Sequence, residues 1–249
     1  ELNVSSDIDL IFLYAAEGET AVNASAQVVQ TVISHQAFFT QQVQLMQRLL
    51  ADITADGFVF RVDLALRPFG GDGALAMSLP TLAQYFQRSG REWERFAWLK
   101  SRLLEASDPS PHARLALRAV VRAFVFRRFL DRPVFGALRS LHQLIRQTAQ
   151  AKLGRAGAAA DVKLGRGGIR EVEFAAQVQQ IVRGGRQPEL LARPTLAALL
   201  RLVAAGLMRE EDAQTLALAY DFLRRVEHRI QYLDDQQTHA LPTRDDDLA

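Results

Sequence analysis

No cysteine occurs among the 249 residues. That excludes a disulfide scaffold, a thiolate nucleophile and any Cys-ligated zinc or iron–sulfur centre, and it fits a reducing cytoplasm. Lysine is nearly absent: Lys100, Lys152 and Lys163 leave twenty-seven arginines among the 30 basic side chains. Apolar stretches such as 10–16 and 195–200 fall far short of the roughly 20 residues a membrane span needs, so none is expected. The five histidines, His35, His112, His142, His228 and His239, contain no His-x-x-x-His ligand pair. No Gly-x-x-x-x-Gly-Lys-Ser/Thr sequence supports P-loop ATPase chemistry. The chain starts at Glu1 with neither an initiator Met nor the basic n-region of a signal peptide, and reads as a fragment of a longer polypeptide.

With 49% hydrophobic and 23% charged residues, the composition is that of an ordinary soluble globular protein. The length allows one large unit or two packed sub-domains. The net charge of +2 conceals an uneven distribution. Residues 1–60 hold one basic and seven acidic side chains, residues 61–170 hold twenty and eight, and residues 171–249 hold nine and thirteen. An arginine belt beside an acidic start suits an anionic substrate with a metal, since guanidinium forks match phosphates and carboxylates. A general preference for Arg over Lys on solvated helix faces is the alternative for individual arginines.

The run 8–14 reads as a strand buried on both faces. Phe39, Val43, Met46, Leu50 and Ile53 then form the stripe of an amphipathic helix ending before Asp56-Gly57. Strict alternation over 58–67 predicts a strand with Phe58, Phe60, Val62, Leu64 and Leu66 on one face and Val59, Arg61, Asp63, Ala65 and Arg67 on the other. Pro68 stops it, and a glycine-rich turn leads to a further short strand at 74–78. From Thr81 onward the pattern predicts helices over 82–89, 92–105, 112–130, 134–153, 169–182, 195–205 and 210–235. The expected architecture is α+β, with a small catalytic sheet unit over 1–107 and an all-helical sub-domain over 108–249.

Asp7 and Asp9 leave the same face of the first strand, about 6.6 Å apart, close enough to grip one cation. Aspartate is a poor strand former, yet it interrupts this apolar run twice. If the strand carrying Asp63 lies beside the first, a third carboxylate joins them. Three such hard oxygen ligands suit Mg²⁺ or Mn²⁺. The alternatives are solvated strand-end caps for the first pair and a structural ion pair of Asp63 with Arg61 or Arg67. Arg67 is a candidate clamp on phosphate, or else the structural partner of Asp63 or Asp72. The segment 163–174 places a glycine-rich turn before a helix whose amides suit an anion, but tight chain reversal, with Glu171 and Glu173 capping the dipole, is the favoured reading. The basic helical region around Arg114, Arg118 and Arg122 lacks an exposed aromatic platform, so nucleic acid is not expected as a partner.

Several blocks carry a family resemblance. Glu-Leu-Asn-Val-Ser-Ser-Asp-Ile-Asp-Leu-Ile-Phe (1–12), Arg-Val-Asp-Leu-Ala-Leu-Arg-Pro-Phe-Gly (61–70), Gly-Arg-Glu-Trp-Glu-Arg-Phe-Ala-Trp-Leu-Lys-Ser-Arg (90–102), Phe-Val-Phe-Arg-Arg-Phe (124–129) and Val-Lys-Leu-Gly-Arg-Gly-Gly-Ile-Arg-Glu-Val-Glu-Phe (162–174) occur in the order expected of one family. Together they resemble the bacterial glutamine synthetase adenylyltransferase/adenylyl-removing enzymes, and more closely the N-terminal, adenylyl-removing half. The resemblance implies a polymerase-beta-like nucleotidyltransferase fold followed by helices. It implies Asp7 and Asp9 as paired Mg²⁺ or Mn²⁺ ligands and Asp63 as the third carboxylate. The family's phosphate-approaching glycine pair would precede Glu1, and Ala65 stands where a larger, often basic residue is expected.

The implied reaction is phosphorolysis: inorganic phosphate attacks the AMP phosphorus on an adenylylated tyrosine of glutamine synthetase, releasing ADP. Adenylylation from ATP keeps the fold and reverses its use. A non-catalytic regulatory or protein-binding module, its aspartates structural, is the alternative from another class. The resemblance further implies PII-type signal protein and glutamine as partners of the whole enzyme, and a cytoplasmic location.

Overall fold

The computed structural model describes residues 6–21, 31–104, 111–126, 161–234 and 238–242, with isolated positions between 143 and 154. The fold is α+β, as the sequence pattern predicts. The chain divides into two compact units. An α/β unit comprises Asp7–Glu94 and Leu103–Phe124, and a helical unit comprises Glu1–Ser6, Arg95–Arg102 and Val125–Ala249.

In the α/β unit the expected strand 8–14 is two short strands, β1 (Ile8–Asp9) and β2 (Phe12–Tyr14). Each has its own parallel partner: β1 pairs with β3 (Val62–Asp63), and β2 pairs with β4 (Ala76–Ser78). The run is half-buried rather than buried on both faces; Tyr14 alone in it is fully enclosed. Between β2 and β3 runs α1 (His35–Ala51), capped by the Ser34 hydroxyl oxygen, which accepts from the Ala37 amide. Val43, at the centre of its apolar stripe, meets Tyr14, Leu64 and Ala76 in the core. Tyr14 stacks on Phe39 with ring centroids 5.0 Å apart.

The α1 stripe is not all core: Met46 is exposed and Ile53 lies beyond the helix end, 83% exposed. The strand expected over 58–67 contracts to two residues. Both Val59 and Phe60 donate their amides to the Leu50 carbonyl near the end of α1, so this backbone is committed before any ladder forms. Phe58, Val59 and Phe60 remain exposed. Asp63 is therefore the last residue of its strand, not a mid-strand position.

From β4 the chain enters α2 (Leu79–Arg88) directly. Ser78 caps it by accepting from the Thr81 amide, and Pro80 sits in the first turn, where its missing N–H costs nothing. Then come α3 (Glu92–Lys100) and α4 (Pro111–Val125). Phe124 of α4 stacks on Phe86 of α2 with centroids 3.9 Å apart. Gly90 lets this stack form, since a Cβ there would stand 2.5 Å from the Phe124 ring.

The helical unit is built on α5 (Ile169–Arg183), α6 (Thr195–Ala204) and α7 (Glu210–Asp234). Ala176 of α5, Ala198, Leu199 and Leu202 of α6 and Ala213 of α7 share one core with Leu190. Tyr220 joins Ile169 and Val172 in a second cluster. The buried Gln180 donates through Nε2 to the carbonyls of Leu190 and Ala192, and Arg201 donates to those of Glu189 and Leu191. Two side chains thereby satisfy the irregular backbone between α5 and α6. The helix expected over 134–153 lies outside the described residues, isolated positions apart.

Candidate functional site

Register places the candidate carboxylates. In the β1–β3 ladder Ile8 is the Cα partner of Val62, and Asp9 is the Cα partner of Asp63. The Ile8 amide donates to the Arg61 carbonyl and the Leu10 amide to the Asp63 carbonyl, each at 2.9 Å. Leu10, Val62 and Leu64 contribute to the core that contains Val43 of α1. By strand parity Asp9 and Asp63 occupy the opposite face. Neighbouring parallel strands are about 4.8 Å apart, so the two carboxylates rise side by side from one surface. Asp9 is exposed and Asp63 half-buried.

Asp7, two residues before Asp9, is half-buried and lies just ahead of β1. Among the described residues no group of three acidic or histidine side chains is close enough to hold a metal ion. The structure thus brings Asp9 and Asp63 together and leaves Asp7 beside them in sequence. Asp9 and Asp63 are hard oxygen donors of the type Mg²⁺ or Mn²⁺ takes.

Asp63 also shapes the chain that follows it. Its Oδ1 accepts from the Ala65 amide at 2.6 Å, a turn that ends β3 and starts the loop 64–73. Arg67, a candidate phosphate clamp or carboxylate partner, donates to backbone carbonyls of its own loop and not to Asp63 or Asp72. Its Nε donates to the Gly73 carbonyl at 3.0 Å, Nη1 to the Leu64 carbonyl at 2.8 Å and Nη2 to the Gly71 carbonyl at 2.8 Å. Three of five guanidinium N–H groups therefore brace the loop. The alternation reading missed this because Asp63 terminates the strand and turns Arg67 away from its face.

Tyr85 and Glu94 escaped the sequence reading. Tyr85, on α2, donates its hydroxyl to Glu94 Oε1 at 2.5 Å, and Glu94 Oε2 accepts from the Arg91 amide at 2.7 Å. Both side chains are buried. Burial, reinforced by the Glu94 hydrogen bond, pushes the Tyr85 hydroxyl up to about 12. The available signal was the acidic residue within Trp93-Glu94-Arg95-Phe96, since a buried carboxylate needs a donor. Glu17 is held below the usual carboxylate range by hydrogen bonds from Ser78, first, and Tyr14. It closes the end of the β2–β4 ladder.

The glycine-rich turn before α5 has its amides engaged internally. Gly167 donates to Glu171 Oε2, Gly168 to the Gly165 carbonyl, Ile169 to the Val162 carbonyl and Arg170 to the Lys163 carbonyl. The turn therefore serves chain reversal. Nearby, Glu227 of α7 is fully buried between Arg224, Lys163 and His239.

Two family models match the chain: glutamate-ammonia ligase adenylyltransferase over residues 1–117, and GlnD PII-uridylyltransferase over residues 136–249. A Burkholderia mallei protein named bifunctional glutamine synthetase adenylyltransferase/adenylyl-removing enzyme is 52% identical over 245 residues, covering 97% of this chain and 26% of that protein. Proteins of the same name from Nitrosomonas eutropha and Neisseria meningitidis are 47% identical over 247 residues and 48% identical over 243 residues. These matches cover 99% and 98% of this chain and 25% of each relative. The chain thus spans about a quarter of the length of the curated relatives it matches. Similarity at about half identity runs along nearly the whole chain, and the chain belongs to the glutamine synthetase adenylyltransferase/adenylyl-removing enzyme family.

Proposed function

We propose that this chain is the adenylyl-removing nucleotidyltransferase portion of such an enzyme, which cleaves AMP from an adenylylated tyrosine of glutamine synthetase by phosphorolysis. The observation that carries the reading is the register pairing of Asp9 with Asp63 on the face opposite the α1 core. Asp9 and Asp63, with Asp7 beside them, would hold Mg²⁺ or Mn²⁺. When bound, the ion supplies charge neutralisation for the phosphoryl oxygens. The phosphate oxygen forms a bond to the AMP phosphorus, the bond to the tyrosine oxygen breaks, and the phenolate leaves to take a proton.

The chain's own contribution is positioning. The β1–β3 register sets Asp9 opposite Asp63, and the turn begun by Asp63 ties its side chain to the loop 64–73. The two Arg67 N–H groups beyond its three loop bonds remain a candidate contact for phosphate. PII-type signal protein and glutamine belong to the proposal as partners of the longer enzyme. Among the described residues no helix is long and apolar enough to cross a membrane. The absence of cysteine accords with a cytoplasmic setting.

The test is incubation of the chain, alone and extended upstream, with adenylylated glutamine synthetase, Mg²⁺ and phosphate, reading ADP release. Asp63→Asn keeps an oxygen for the Ala65 amide, so its turn and melting temperature should persist while ADP release falls by at least about a hundredfold. Retained ADP release in Asp63→Asn refutes the assignment. Incorporation of AMP from ATP, without ADP release from the modified target, would instead identify the adenylylating direction.

A further inference from the structure

Phe69 is the only non-glycine residue with positive φ among the described residues, at +64°. The left-handed region is unfavourable for any side chain with a Cβ, and such strain persists only where the surroundings over-determine it. Here they do. Arg67 ties three carbonyls of the same loop, and Gly73 packs so closely that a Cβ there would stand 1.9 Å from the Pro68 carbonyl oxygen. Beneath, the Tyr85 ring meets the Phe69 ring edge-on at 4.7 Å, and the Tyr85 hydroxyl is fixed by the buried Glu94.

All this bracing leaves Phe69 55% exposed. A strained backbone that delivered its phenylalanine into the core would need no further reason. One that holds the ring out in water, on the loop that starts at Asp63, is arranged for something the ring touches. We propose that Phe69 is a specificity-determining residue whose exposed face stacks on the purine base of the AMP group. The inference rests on the nucleotidyl-transfer reading and deepens it. Among the parts of that reaction, phosphate and ribose offer no flat apolar face, whereas a purine offers a large uncharged one. The tyrosine that carries AMP has a smaller ring and is positioned by its own protein.

The test compares binding of AMP and of ribose 5-phosphate, each with Mg²⁺, by calorimetry on the full chain. Phe69→Gly removes the ring and suits the left-handed backbone, so the loop should survive; Phe69→Tyr keeps the stack. The wild type should bind AMP about 5- to 100-fold more tightly than ribose 5-phosphate, the advantage expected of one base–aromatic stack. Phe69→Gly should lose that advantage with ribose 5-phosphate binding unchanged, and Phe69→Tyr should retain it. An AMP preference that survives in Phe69→Gly, or a wild type that does not distinguish the two ligands, overturns this inference alone. A wild type with no affinity for AMP overturns it together with the nucleotidyl-transfer reading.

Discussion

Arg67 reaches six residues forward to donate through Nε to the Gly73 carbonyl, closing the loop that follows the β3 carboxylate. With Nη1 and Nη2 on Leu64 and Gly71, the guanidinium acts as the loop's internal crossbar. Lysine offers a point charge and no planar fork. Arg67→Lys should lower the stability of the α/β unit by about 1–2 kcal/mol through lost hydrogen bonds, measured by urea unfolding. A clamp acting only on phosphate would leave unfolding unchanged and raise the phosphate KM.

The same loop separates two glycine substitutions. A Cβ at Gly73 would stand 1.9 Å from the Pro68 oxygen, which is backbone and cannot swing away, while one at Gly71 would meet nothing within 4 Å. Gly73→Ala should cost about 3 kcal/mol or more and Gly71→Ala less than about 1 kcal/mol, compared by thermal unfolding. Equal effects would contradict the packing described.

Tyr85→Phe removes the hydroxyl donor from a carboxylate that is 4% exposed. The variant should be less stable by about 1–3 kcal/mol, the cost of a buried acceptor left short of a partner. The wild type should also show an alkaline transition. Because the Tyr85 hydroxyl titrates near 12 in the fold instead of 10.0, its contribution is complete below pH 10 and is lost as pH rises toward 12. Chemical unfolding between pH 9 and about 12 should show this decline in the wild type and its reduction in Tyr85→Phe.

Glu227 gives the opposite sign. Burial pushes its carboxyl up, but the His239 ring 3.2 Å away and the charges of Arg224 and Lys163 outweigh this and hold it below its ordinary 4.5. A depressed carboxyl stabilises the fold above 4.5, and that stabilisation is lost as pH falls through the folded value. Acid unfolding followed by circular dichroism should therefore be steeper in the wild type than in Glu227→Gln. At neutral pH Glu227→Gln should lose about 1–3 kcal/mol, since it leaves the half-buried Arg224 and Lys163 without their countercharge.

Periodicity in the sequence was a good guide wherever one face of an element met a core. Val62 and Leu64 against Asp63 follow strand parity, and the stretches around α2, α5, α6 and α7 follow helical spacing to within a few residues. The pattern misled where an apolar residue served no core. Phe58 and Phe60 alternate as a strand should, yet the Leu50 carbonyl claims the neighbouring amides and the rings stay in water. Asp63 could be set beside Asp9 only on the condition that their strands are neighbours, because parity is local and strand order is not; the register supplies that condition. Arg67 could not be placed, since its role depends on a turn that Asp63 itself creates through Ala65. The Tyr85–Glu94 pair, nine residues apart on different helices, follows no single period.

The division of the first strand between two partners gives the α/β unit two separate mechanical tasks. Pairing with β4 seats Tyr14 in the core, and pairing with β3 sets the carboxylates side by side. The second ladder is only two residues long. A ladder that short has little stiffness of its own, so the spacing of Asp9 and Asp63 is borrowed from the apolar layer beneath them. Substitutions at Val43 or Leu64, on the far side of the sheet from any substrate, would then act as tuning screws for the carboxylate pair.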